Sequence, residues 1–489
     1  MACRKKASKQ KATERKYQRS STLRSSPITD EKITNFFALR KRKSDDCYLG
    51  PKTDVDVLGK RLRKDVNISE SKSCMAEYVP NVSSAVSEGT PLGIFGNLPH
   101  LVFDSFIDNA SVSVLIRLAQ TSFECSMRIL SFLQRPIGVQ RFVRETNATS
   151  SGFSRNDNFH LFGQILKATT CLLSTEERVV HLKKFYDKAS MEVTDMSGWG
   201  RLFISMSSKW TFQECLRIVE VVLKMDDARI MNGIANVTDV EVNAGSNLGL
   251  EMQVRKWLRQ LFFDQPFTDE DESSFWIAAI LKKLPTHAEQ ARLLMVLYAP
   301  THFVNGIEVV DWRSLVDDVV RSEKDSAKRL KPLANALLLL HGARKLTVPS
   351  LAFSNHDCFN LIEEITTCPE PWSFDNFVAL LLHDRSLIHI ALSARMTHGH
   401  EEEAGSIIST MKTLLFRWGH SLGGTLKDVV TSTMKQMRLD LRRKLFAEIY
   451  TAYARNVKEL VYASRSETQE ELKAQLEFAP LLQEITMLL

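Results

Sequence analysis

No C-x-x-C pair occurs in the 489 residues; the eight cysteines are scattered as Cys3, Cys47, Cys74, Cys125, Cys171, Cys215, Cys358 and Cys368. That spacing offers no structural zinc site of the usual ligand pattern. Several of the cysteines sit in apolar stretches of helical spacing, as reduced core thiols do, which predicts a reducing compartment. Long apolar runs are also absent. Stretches such as Leu337–Leu340 and Val378–Leu382 fall far short of the roughly 20 residues that span a bilayer. The first twenty residues are basic and polar, which predicts no secretory leader.

Neither a Walker loop nor G-x-G-x-x-G is present, so nucleotide chemistry has no support. Gly419-His420-Ser421-Leu422-Gly423 matches G-x-S-x-G, but the nucleophile elbow needs a strand before the serine and a histidine after it. Here Ile407–Trp418 has helical spacing and His420 is the last histidine of the chain. The expectation is a glycine-rich turn between helices. His398-Gly399-His400 followed by Glu401–Glu403 reads as a polar loop entering an acidic helix start, and His356, Cys358 and Cys368 form no zinc pattern. The chain is expected to have no active site, no metal and no cofactor.

What is present is an uneven charge. Residues 1–75 hold 20 Lys+Arg against 9 Asp+Glu, and the remainder holds 44 against 49. A basic segment is thus joined to a mildly acidic body. Residues 1–90 are rich in Lys, Arg, Ser and Asp with few apolar clusters, and are expected to be a disordered tail. From Pro91 onward helical periodicity takes over. Ser174-Thr175-Glu176-Glu177, Thr211-Phe212-Gln213-Glu214 and Thr286-His287-Ala288-Glu289 read as capping boxes. Val254, Trp257, Leu258, Leu261 and Phe262 share one helical face. Gly342 reads as a helix stop. Strand signals are few: Val237–Val242 alternates weakly, and Asn305-Gly306 can turn a small hairpin. The expected fold class is all-α, an irregular helical solenoid or bundle over residues 150–489.

Residues 91–136 stand apart. Leu98-Pro99 opens a helix, where the missing N–H of proline is tolerated. Val102, Phe103, Phe106 and Ile107 follow, and Asp108-Asn109 ends the helix. Ser111 can cap a second helix with Val114, Leu115 and Leu118. Thr121 or Ser122 can cap a third with Phe123, Met127, Leu130 and Leu133, closed by Pro136. So much apolar surface in about forty residues predicts that part of it faces a partner. The segment resembles an F-box. Leu101 stands where the family uses an acidic residue, Ala110 stands where it uses Leu, and no Trp ends the third helix. The stretches Trp210–Val222 and Ser274–Pro300, with Phe275-Trp276, Ile280-Leu281-Lys282 and Gln290-Ala291-Arg292-Leu293-Leu294, are similar to the family of F-box only protein 47.

The resemblance implies a non-catalytic, substrate-recognition adaptor of a Skp–cullin–F-box ubiquitin ligase, with the Skp adaptor, the cullin and a target protein as partners. It implies docking through Leu98, Pro99, Val102, Phe103, Phe106, Ile107, Leu115 and Leu118. It also implies a role in meiotic prophase, in chromosome pairing and synapsis. Two linear motifs lie in the tail. Arg40-Lys41-Arg42-Lys43 with Lys60-Arg61-Leu62-Arg63-Lys64 resembles a bipartite nuclear import signal, so a nuclear location is expected. Ile33, Phe36 and Phe37 fall on one face of a helical turn, with Lys41 beyond, and resemble the box that binds the PCNA sliding clamp. A chromatin- or PCNA-associated scaffold is therefore the alternative reading.

Overall fold

The computed structural model describes Phe95 and residues 98–148, 157–225, 229–266, 268–460 and 465–487, all within a unit that runs from Asn81 to Leu489. The clamp-like motif (Ile33, Phe36, Phe37, Lys41) and the import-like runs (Arg40–Lys43 and Lys60–Lys64) lie outside the described residues.

Among the described residues the first four helices are α1 His100–Asn109, α2 Val112–Ala119, α3 Phe123–Leu133 and α4 Pro136–Ala148. Eight more follow: α5 Asn158–Thr170, α6 Thr175–Ala189, α7 Met196–Ser207, α8 Phe212–Lys224, α9 Arg229–Thr238, α10 Leu248–Leu258, α11 Glu270–Leu281 and α12 His287–Tyr298. A hairpin, β1 Thr301–Val304 with β2 Ile307–Val310, interrupts them. The chain then continues as α13 Ser314–Asp317, α14 Glu323–Arg329, α15 Lys331–Gly342, α16 Asn355–Thr366, α17 Phe374–Leu381 and α18 Arg385–His398. The last four are α19 Glu401–Arg417, α20 Thr425–Gln436, α21 Leu439–Glu459 and α22 Arg465–Thr486. The protein is all-α, as the periodicity predicts.

Local signals account for most element starts. Ser174, Thr211 and Thr286 each accept from the backbone N–H three residues on, and the Glu there returns the bond to the cap. Asn305 and Gly306 both adopt positive φ, 52° and 81°, the backbone of a two-residue type I′ turn, and pair Val304 with Ile307. Gly419, at φ 80°, turns the chain between α19 and α20, so G-x-S-x-G here is a helix–turn–helix junction. Gly342 is the last residue of α15, followed by a 3₁₀ turn at Ala343–Lys345.

One local expectation fails. Val237–Val242 is not a strand: Val237 and Thr238 end α9, and Val240 and Val242 lie exposed in the turn beyond. A short alternation carries no partner strand, and a helix packed on α10 and α12 wins. The apolar face of α10 is buried as spaced, with Val254, Leu258, Leu261 and Phe262 inside, but its end, Arg259–Phe263, winds as a π-turn.

Helices pack mainly on near neighbours in the chain: α5 on α7, α11 on α15, α12 on α16, α17 and α21 on α19. One apolar core runs from Phe103 to Ile485. The buried cysteines Cys125, Cys215 and Cys358 are free, the last two within this core, and burial pushes the thiols of Cys215 and Cys358 up to about 12. Close helix contact is enforced at Gly405 of α19, where an added Cβ would lie 2.7 Å from the carbonyl carbon and oxygen of Glu448 on α21.

Candidate adaptor-docking face

α1 begins as the Leu98-Pro99 signal predicts. The Pro99 carbonyl accepts from Val102 and Phe103 at 3.0 and 3.1 Å, so Pro99 closes the first turn without needing an N–H of its own. Ala110 follows the helix with extended backbone. Ser111 caps α2 by accepting from Val114, and Ser122 caps α3 by accepting from Cys125. Pro136 ends the third helix by opening a fourth, α4.

The apolar stripe divides into two faces. Phe103, Ile107 and Leu115 are at most 1% exposed. These three are core residues, although the resemblance implies docking through them as well. Phe103 meets the rings of Phe95 and Phe106 at 5.8 and 6.3 Å, with the Arg128 guanidinium 5.2 Å from its centre. Leu115 lies on α2, which packs on α3 and α5. Leu118 and Leu98 are half-buried. The other face is open: Pro99 is exposed, and Leu101, Val102 and Phe106 are 82%, 50% and 36% exposed. Leu98, Leu101, Val102 and Phe106 recur at i, i+3, i+4 and i+8, one side of a helix. Leu101, which departs from the acidic residue of the F-box pattern, is the most exposed apolar side chain of this face.

Polar contacts hold α1 in place, and no sequence pattern marks them. Arg141 on α4 is 2% exposed. Its guanidinium donates to the carbonyls of Ile107 and Ala110 at the end of α1 and to Glu145 at 2.7 Å. Carbonyls that a helix end would leave unpaired are thereby satisfied. Arg135 grips Asp104 with two bonds of 2.7 and 2.6 Å, and this hydrogen bonding holds the Asp104 carboxyl below its usual range.

The α1–α4 group is continuous with the body. Phe142 of α4 is fully buried and meets Phe159, Phe162, Phe185 and Trp199 at ring distances of 4.9 to 5.5 Å. Among the described residues, no group of three or more His, Cys, Asp or Glu side chains could hold a metal ion, and no helix is long and apolar enough to cross a membrane.

A family model described as FBXO47, ARM repeats, matches residues 229–489, more than half of the chain. The chain is 22% identical to human F-box only protein 47 over 404 residues, 78% of this chain and 85% of the relative. It is 24% identical to the mouse F-box only protein 47 over 337 residues, 65% of this chain and 70% of the relative. No solved structure matches. A helical-repeat body preceded by a Leu-Pro-opened helix group, together with the model match over α9 to α22, makes this chain a member of the F-box only protein 47 family.

Proposed function

We propose that the protein is the substrate-recognition adaptor of a Skp–cullin–F-box ubiquitin ligase and that the exposed face of α1 docks on the Skp adaptor. The observation that carries this is the division of α1 and its entry: Phe103 and Ile107 anchor it, while Pro99, Leu101, Val102 and Phe106 remain open beside the half-buried Leu98. Burying a side chain of this size against a partner contributes about 1.5–3 kcal/mol before association costs. The helical body grips the target, and ubiquitin transfer is favoured by proximity while other subunits supply the chemistry. The setting we infer, from the family resemblance, is the germline nucleus in meiotic prophase, in chromosome pairing and synapsis. Nuclear entry is assigned to Arg40–Lys43 and Lys60–Lys64.

The test is capture of purified Skp adaptor by the full chain, with and without the double change Leu101→Asp and Val102→Asp. Phe103 is left intact, because removing a buried phenylalanine destabilises by about 3–5 kcal/mol and would confuse unfolding with lost docking. Capture by the wild type and its loss in a variant of unchanged thermal melting supports the reading. Failure of the wild type to capture adaptor refutes it and leaves a chromatin- or PCNA-bound scaffold. Equal capture by the variant moves the docking surface away from α1. Nuclear entry is read separately from a fluorescent fusion to residues 1–70, whose retention in the cytoplasm would remove that assignment.

A further inference from the structure

α21 carries two apolar stripes where a surface helix needs one. Leu445, Ile449 and Ala452 are buried, and α21 packs mainly on α19. The second stripe is open. Leu439, Tyr450 and Val457 are 48%, 58% and 41% exposed, with Phe446 and Tyr453 half-buried among them. The Tyr453 ring meets Phe478 of α22 at 6.2 Å and Tyr450 at 6.4 Å.

Spacing along the open stripe defines the kind of surface that covers it. Leu439, Arg443, Phe446, Tyr450, Tyr453 and Val457 follow one another at steps of 4, 3, 4, 3 and 4 residues. That is the a/d seam by which one helix packs along another. At 1.5 Å per residue the seam is about 27 Å long, enough for a partner helix of about five turns.

The charged position of the seam defines what the covering helix carries. Lys444 and Arg455 are held by Glu401 and Glu402 of α19 at 2.9 and 2.7 Å, and Arg438 by Asp440 at 3.3 Å. Arg442 donates to the carbonyls of Met437 and Lys435. Arg443 is exposed, and among the described residues it has no acidic partner. Under an apolar helix it would become a buried, unpaired charge, which is strongly unfavourable. A second copy of this chain offers no remedy. The seam holds no acid, so self-pairing sets Arg443 against an apolar or aromatic side chain or against another Arg443.

We propose that this face of α21 binds an amphipathic helix of the target protein, with apolar residues at the same spacing and an Asp or Glu opposite Arg443. The inference rests on the reading of the chain as a target-recognition subunit and adds the form and charge of what it recognises. A carboxylate at that place accepts two parallel N–H···O bonds from the guanidinium. One charged position in an apolar seam also fixes the register of the paired helices. Leu439, Tyr450 and Val457 supply the contact area, and Arg443 selects among helices that could cover it.

The probes are two fluorescein-labelled helical peptides of about three heptads, apolar at the a and d positions. The first has Glu at its central a position and the second has Lys there. Held at nanomolar concentration so that they do not pair with themselves, they are read by fluorescence anisotropy as full chain is added. The Glu peptide is expected to bind about tenfold or more tighter than the Lys peptide. Arg443→Glu is expected to reverse that order, and Tyr450→Glu to weaken the Glu peptide about tenfold. Both side chains are exposed, so the melting temperature of each variant should match the wild type. Val180→Glu, at an exposed position of α6, is expected to change nothing. Binding of neither peptide at about 0.1 mM chain, equal affinity for the two, or an unreversed order in Arg443→Glu overturns the proposal. A dimer in sedimentation that Tyr450→Glu dissolves also overturns it and gives the face to a second copy. Adaptor capture through α1 is a separate measurement. If it fails while the peptides behave as expected, the ligase reading falls and the helix-binding face stands.

Discussion

Arg141→Met is the change that most directly tests how the docking face is held. Methionine retains the apolar stem and removes the donors. In the wild type the buried guanidinium serves the carbonyls of Ile107 and Ala110, where α1 ends. Hydrogen bonds to a charged group contribute about 1.5–3 kcal/mol each, so losing two predicts about 3–6 kcal/mol. Glu145 adds little to this, because at 26% exposure its carboxylate recovers water when Arg141 is gone. Urea unfolding with linear extrapolation measures the total. Hydrogen exchange locates it: amides of α1 should exchange faster than in the wild type, while those of α19 and α21 should not. Adaptor capture should fall although no exposed residue has changed. A loss below about 1 kcal/mol, or unchanged exchange in α1, would refute the claim that Arg141 positions this helix.

Two further outcomes follow from the interior. Burial lowers His383 to about 4, and its ring meets the Ser326 hydroxyl at 2.9 Å. The folded state holds this ring neutral while the unfolded chain protonates near 6.5. Its contribution is therefore complete above pH 6.5 and is lost as pH falls toward 4, by about 3 kcal/mol in all at 1.36 kcal/mol per pH unit. Urea titrations at pH 7 and 4.5 should show a smaller pH dependence for His383→Gln than for the wild type; equal slopes would count against a buried neutral ring. Gly405→Ala forces a methyl group against the Glu448 backbone at 2.7 Å and should destabilise by about 1–3 kcal/mol, read as a lowered melting temperature; a wild-type melting curve would mean that α19 and α21 can move apart freely.

Much of the architecture is local and was legible in the chain. A capping box involves four consecutive residues, so Ser174, Thr211 and Thr286 declare their helices without reference to the rest of the fold. Asn305-Gly306 declares its turn for the same reason, since both residues tolerate positive φ. Leu98-Pro99, Ser111 and the pair Thr121-Ser122 place the starts of α1, α2 and α3 within a residue or two, and the structure selects Ser122 of the pair. Periodicity also located apolar faces, but on α1 it could not say which of two neighbouring faces turns inward. Val102, Phe103, Phe106 and Ile107 are equally apolar, and only the packing of α1 on α3 and α4 sends Phe103 and Ile107 into the core.

The sequence by itself determined the helices, their caps, the hairpin, the all-α class and the family likeness, because each depends on residues a few positions apart or on a stretch of matching pattern. Tertiary structure alone decided the exposed set on α1, including Leu101. It decided the union of α1–α4 with the body through Phe142. It decided the grip of Arg141 on a helix end 31 to 34 residues earlier. These depend on side chains distant in the chain meeting across helix interfaces, where burial and unpaired polar groups set the energies, and no local pattern encodes such meetings.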